Sequence, residues 1–210
     1  MKVKRKLVML LSIMVFIGIS GCSKDDDDGG GGDLNPSAIN TQVVNGNEYN
    51  DWIVTVKALI ETETEVEYTV ATSDYKNGGF KLNFPDNVPS EYLEGADLPM
   101  QFASDKDAKI GYCWILAYDE QDRVIGGFDL IGGNSNTEVI AEYVYADRNF
   151  TVKRTEEYGD SKVIYDLSFQ KGWNIVYNIM QEGKDVYTCT WTTQNPGGID
   201  LKWYFDDDYW

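Results

Sequence analysis

The chain has 210 residues, with 35 acidic and 18 basic side chains and a formal charge of −17; such a surface repels phosphate backbones and excludes nucleic acid as a partner. It contains no histidine, which removes Ser-His-Asp and Cys-His nucleophile systems, His-ligated zinc and a histidine pH switch, and leaves any catalysis to carboxylates, Tyr, Lys or Ser. Aromatics make up 13% of the residues, and together with many Val, Ile and Thr they favour strands over helices.

Residues 1–6 hold four positive charges (Lys2, Lys4, Arg5 and Lys6) and no acid, and residues 7–19 are apolar apart from Ser12 and Gly18. As a helix the apolar run spans about 20 Å at ~1.5 Å per residue, short of a bilayer core of about 30 Å. Residues 1–21 therefore predict a secretory signal peptide. Ile19-Ser20-Gly21-Cys22 resembles the lipobox of bacterial lipoproteins, an apolar residue and two small ones before a cysteine. The resemblance implies cleavage between Gly21 and Cys22 and a Cys22 thiol carrying acyl chains such as palmitate. Each buried CH₂ contributes ~0.8 kcal/mol, so two or three chains hold where one does not.

Behind Cys22, Ser23-Lys24 is followed by Asp25, Asp26, Asp27 and Asp28. This run resembles the acidic export signal of Bacteroidetes-type surface lipoproteins. It implies an outer-membrane protein facing the cell exterior; the alternative is a plain spacer on a periplasm-facing anchor. Either way residues 22–37 predict a disordered tether, because like charges repel and the glycines at 29–32 have no preferred conformation. As a flexible coil it holds the body about 20 Å from the membrane. Removal of the signal peptide leaves 14 basic against 35 acidic groups, a net −21.

From residue 38 onward apolar residues alternate at period 2. Trp52, Val54, Val56, Ala58 and Ile60 share one face, followed by Phe80, Leu82 and Phe84. Later come Val163, Tyr165, Leu167 and Phe169, then Trp173, Ile175, Tyr177 and Ile179, and finally Leu201, Trp203 and Phe205. Turn signals separate the runs, among them Asn45-Gly46, Asn77-Gly78-Gly79 and the polar Asp119-Glu120-Gln121-Asp122. The prediction is an all-β chain of about ten or eleven strands, built as antiparallel β-sandwich. Pro89-Ser90-Glu91-Tyr92-Leu93 predicts one short helical turn capped by Ser90. Residues 85–109 are the least periodic and predict a loop or boundary between a domain at 38–104 and one at 105–210. In the second, 109–118 and 123–131 form a hairpin, 139–154 is one long bent strand or two, and the strands follow as a meander. A closed up-and-down barrel fits the second half as well as a sandwich does.

The stretch Thr72-Ser73-Asp74-Tyr75-Lys76-Asn77-Gly78-Gly79-Phe80-Lys81-Leu82-Asn83-Phe84-Pro85 resembles the hairpin of the carboxypeptidase-regulatory, transthyretin-like β-sandwich family, over roughly residues 38–88. Gly79 is an extra residue relative to that pattern. The resemblance implies a structural and binding role with no catalytic residues to transfer. Tyr145-Ala146-Asp147-Arg148, residues 171–177 and the ending Leu201-Lys202-Trp203-Tyr204-Phe205 look similar to gut-type Bacteroidetes lipoproteins, which implies a location and no activity.

Cys113 and Cys189 remain after lipidation, in a compartment that permits disulfides; a bond between them and two buried free thiols are both open. Trp173, Trp191 and Trp203 lie in period with aliphatics, which favours core packing over a stacking platform for sugars, and Trp52 reads the same way. Tyr209 and Trp210 follow three aspartates and predict an exposed tail. Asp105-Lys106-Asp107 and Asp206-Asp207-Asp208 lack the further ligands of a calcium loop, so neither metal nor cofactor is expected. The expected function is that of a lipid-anchored, non-enzymatic binding or scaffolding protein, with a glycan or protein partner at the cell surface. The alternatives are a carboxylate-based glycoside hydrolase and an accessory subunit of a surface assembly.

Overall fold

The computed structural model describes residues 34–62, 64–95, 99–184 and 186–207. Gly21, Cys22, Asp25, Asp26, Asp27, Asp28, Tyr209 and Trp210 lie outside the described residues. The alternating runs form twelve strands among those described. β1 (Ala38–Gln42) pairs antiparallel with β4 (Gly79–Asn83) in a two-stranded sheet. The other ten share one large sheet: β2 (Thr55–Glu61), β3 (Glu67–Asp74), β5 (Ile110–Tyr118), β6 (Val124–Asn134), β7 (Thr137–Ala146), β8 (Phe150–Tyr158), β9 (Ser161–Phe169), β10 (Gly172–Glu182), β11 (Tyr187–Thr192) and β12 (Lys202–Asp206). Their order is β3-β2-β5-β6-β7-β10-β11-β9-β8, with β12 on the other edge of β6. The path ends at β3 and β8 without closing, so the barrel alternative gives way to an open, layered all-β fold.

Period 2 puts alternate residues on opposite faces of the sheet. On β7, Val139, Ala141, Tyr143 and Tyr145 face a core shared with Ile39, Phe80, Leu82 and Phe84 around β1 and β4. Val144 and Ala146 join a second core with Val176, Phe150, Val152, Leu167 and Phe169. The middle of the large sheet is thus covered on both sides, and each fully buried Val, Leu or Phe contributes about 1.5–3 kcal/mol. Trp173 and Trp203 are buried in the first core. The Trp173 indole N–H also donates to the Pro85 carbonyl at 2.8 Å, satisfying its polar atom.

Several expectations change with the tertiary arrangement. Strand β2 begins at Thr55, after Trp52. The chain turns through a 3₁₀ segment at Gly46–Tyr49, and the N–H groups of both Trp52 and Ile53 donate to the Tyr49 carbonyl. Ile53 takes the inward place at 1% exposure, while Trp52 points out at 64%. Asn77 and Gly78 adopt positive φ, 54° and 74°, making the two-residue turn that mirror-image hairpins need. The ladder stops after the Lys76–Gly79 bridge, however: β3 stays in the large sheet and β4 crosses to β1, so the expected hairpin is the corner between layers. Ser90 opens the short 3₁₀ turn Ser90–Tyr92 and does not cap it; Pro89 holds the cap position. Residues 139–154 are two strands parted at Asp147, whose N–H donates to the Lys109 carbonyl while its carboxylate accepts the Lys109 N–H at 2.9 Å.

The meander holds through β5, β6 and β7. The order then jumps to β10, and β11 pairs parallel with β9. Strand β2 pairs with β5 from Thr55↔Tyr118 to Ile60↔Cys113, across the boundary drawn after residue 104, and the described residues belong to one compact unit. Strand β5 divides its own edge: Ile110–Cys113 pairs with β7 and Leu116–Tyr118 with β6. Between those two ladders the three strands part.

Candidate functional site

The turn before β2, the β5–β6 loop and the end of β12 meet around an open cleft of about 660 Å³, within the size range of small-molecule sites. Trp52 forms one wall. Its ring stands edge-on to Tyr49 (centroids 6.1 Å apart, 78° between planes), and Tyr49 packs on Phe205 at 4.5 Å. Tyr49 thus supports the exposed indole and itself rests on Phe205, which also lines the cleft.

Asp119, Glu120, Gln121 and Arg123 of the loop 119–123 also line the cleft. The loop's shape follows from Asp119, whose Oδ1 accepts the backbone N–H groups of Gln121 and Arg123, both at 2.9 Å. The Arg123 guanidinium lies 2.6 Å from Asp119 Oδ2. These hydrogen bonds, the Arg123 side chain's first, hold the Asp119 carboxyl below its ordinary range. Asp122 takes a positive φ of 58° to complete the turn. The cleft also presents Asp51, Glu120 and Asp207. Four carboxylates thus face one guanidinium, which is already engaged. The field reaches Tyr49, whose hydroxyl is pushed up by burial and then by Asp207, Glu48 and Asp206. This surface offers a flat aromatic face, hydrogen-bond acceptors and negative potential.

A second feature lies at the fork in the sheet. Where β5, β6 and β7 part, a gap of about 80 Å³ is lined by Trp114, Asp129 and Glu142 among others. Glu142 is half-buried as a residue, yet its Oε2 is sealed from solvent and has no hydrogen-bond partner. Burial, then the neighbouring Asp129, raises the Glu142 carboxyl to about 7; burial, then Asp206, raises Asp129 to about 6. A gap of this size has room for water and is too small for a sugar ring.

The remaining sequence-predicted residues are distributed as follows. Cys113 and Cys189 are free thiols, not a disulfide. Cys113 on β5 lies opposite Tyr143, which faces Ile175 on β10, whereas Cys189 on β11 pairs with Met180, five residues further along β10. Three strand spacings of about 4.8 Å and that offset set them roughly 20 Å apart, far beyond the ~7 Å a disulfide tolerates. Trp191 is half-buried beside the second core. Asp105 accepts the Asp107 N–H and pairs with Arg148 at 3.4 Å, so it organises its own turn. Among the described residues no cluster of three or more His, Cys, Asp or Glu is placed to hold a metal ion.

Sequence reasoning missed the cleft because it assigned Trp52 to a strand face and residues 119–122 to an ordinary turn. Asn50-Asp51 beside Trp52 was the available signal for a turn there. The fork carboxylates also had one: Asp129 and Glu142 are isolated acids within apolar strands. Comparisons with protein-family models, curated proteins and solved structures found no match to this chain.

Proposed function

We propose that this chain is a lipid-anchored outer-membrane protein displayed on the cell surface, whose β body binds glycans in the Trp52 cleft. The observation that carries the binding site is Trp52 itself: 64% exposed, backed by Tyr49 and Phe205, in a cleft with acceptor side chains. An indole face that a compact fold leaves in water suits the apolar face of a pyranose ring, and the surrounding carboxylates suit its hydroxyls. The lipobox ending at Cys22 and the acidic run Asp25, Asp26, Asp27 and Asp28 support the anchor and the outward display. The likeness of residues 38–88 to transthyretin-like binding modules supports a binding role over a catalytic one.

A glycan array probed with detergent-solubilised full-length protein tests the site. Binding that is present in the wild type and lost in Trp52→Ala supports it; no binding to any glycan overturns it. Cys22→Ser is expected to release the protein from membranes, and continued membrane fractionation would overturn the anchor. Replacing the four aspartates with alanine is expected to abolish protease access on whole cells, and unchanged surface cleavage would reduce the run to a spacer.

A further inference from the structure

We infer that the Trp52 cleft selects glycans bearing free amino groups, the sugar ring stacking on Trp52 and its ammonium group lying among Asp51, Glu120 and Asp207. The inference rests on the glycan reading and narrows it by charge. Asp51, Asp119, Glu120 and Asp207 face a single basic group among the described lining residues, Arg123. Arg123 is held by Asp119 at 2.6 Å through Nη2 and by a 2.7 Å bond from Nε to the same Oδ2, and Nη2 also donates to Gln121 Oε1 at 3.0 Å. Its one cation is thus already paired with Asp119, three further carboxylates have no basic counterpart in the lining, and anionic glycans meet net repulsion.

A neutral sugar gains the stacking and some hydrogen bonds. A sugar with an ammonium group gains these and the attraction of three further carboxylates. Donor and charge coincide in one group there, since an ammonium offers three donors and the cleft offers mainly acceptors. Shape agrees with charge, because the carboxylates come from the turn before β2, the β5–β6 loop and the end of β12. These are three separate segments of the chain that line the same cleft as the indole.

The test is titration calorimetry of the detergent-solubilised full-length protein at mildly acidic pH, with a glucosamine oligosaccharide and its N-acetylated counterpart as probes. The free-amine oligomer is expected to bind at least about ten-fold more tightly, with an affinity that falls as salt screens the carboxylates. Glu120→Gln combined with Asp207→Asn is expected to weaken the free-amine oligomer far more than the N-acetylated one and so to remove most of that advantage. Trp52→Ala leaves the charge intact and is expected to lose both ligands. Retained free-amine binding in Trp52→Ala would mean general adhesion to an acidic protein and would overturn the inference. Equal or tighter binding of the N-acetylated oligomer would overturn it while leaving glycan binding intact. If neither oligomer binds and the array is also blank, the glycan reading falls with it; if the array shows other glycans bound, only the amine preference falls.

Discussion

Asp129 on β6 and Glu142 on β7 stand side by side one step beyond the last pair of their ladder, Leu130↔Ala141, at the point where β5 changes partners. Neither has a basic neighbour among the causes that shift it, and both carboxyls are raised, Glu142 from 4.5 to about 7 and Asp129 from 3.8 to about 6. A folded-state pKa above the unfolded value means that the folded state binds the proton more tightly. The stabilisation is complete below about pH 4 and is lost as pH climbs through about 6 and 7. For Glu142 the shift corresponds to on the order of 3 kcal/mol. The melting temperature is expected to fall between pH 5 and pH 8. Glu142→Gln is expected to flatten that fall and to raise stability at pH 8. Equal pH profiles for the two proteins by thermal denaturation would contradict this assignment. Asp119 acts in the opposite sense: its lowered pKa withdraws stability only at strongly acidic pH, so maximal stability belongs in the mildly acidic range.

Asn45 imitates a strand with its side chain. Its Nδ2 donates to the Phe205 carbonyl at 2.8 Å and its Oδ1 accepts the Phe205 N–H at 2.9 Å. Together with the Val44 N–H donating to the Trp203 carbonyl, this ties β12 to the segment after β1. Asn45→Ala leaves two backbone groups unpaired and is expected to cost about 1–3 kcal/mol. Hydrogen exchange should show the Phe205 amide losing protection first, and glycan binding should weaken because Phe205 supports Tyr49 behind Trp52.

Trp52 and Trp203 separate binding from folding. Trp203 is buried against Phe80 and Tyr143, at 5.7 and 6.3 Å between centroids. Trp203→Ala is expected to destabilise by about 3–5 kcal/mol. Trp52→Ala, at an exposed site, is expected to shift stability by less than about 1 kcal/mol. Urea titrations of the two variants check the contrast.

Burial raises the pKa of both thiols, and the Cys189 S–H donates to Asn178 Oδ1 at 3.1 Å. Neither thiol is therefore expected to react with iodoacetamide in the native state at pH 8, and both should react in urea. Reducing agent is expected to leave the melting temperature unchanged, and mass spectrometry should show no intramolecular disulfide.

Alternation made the strands legible. The inward faces at Val56-Ala58-Ile60, Phe80-Leu82-Phe84 and Trp173-Ile175-Tyr177 follow from the two-residue period, because one face of each strand has to leave water. The same logic failed at Trp52, where two hydrogen bonds to the Tyr49 carbonyl turn the chain before the strand begins. A period shows which residues share a face; it does not show where the strand starts. Likewise the Asn77-Gly78 turn was readable from its residue types, but whether β3 and β4 stay paired beyond it depends on whether β1 or β3 offers β4 the better partner. The pairing of β11 with β9 and the fork at β5 are contacts between residues far apart in sequence, and no local pattern encodes them.

The sequence by itself determined the composition-level facts: an acidic, histidine-free, β-rich chain with a lipobox-like Cys22 and a run of aspartates behind it, since these depend on residue type and local order alone. Tertiary structure decided where Asp51, Trp52, Asp119, Glu120, Phe205 and Asp207 meet, and that Asp129 and Glu142 share a gap. Each grouping joins segments separated by many residues, and their meeting depends on strand order, which is selected by the burial of whole faces and not by any one stretch of chain.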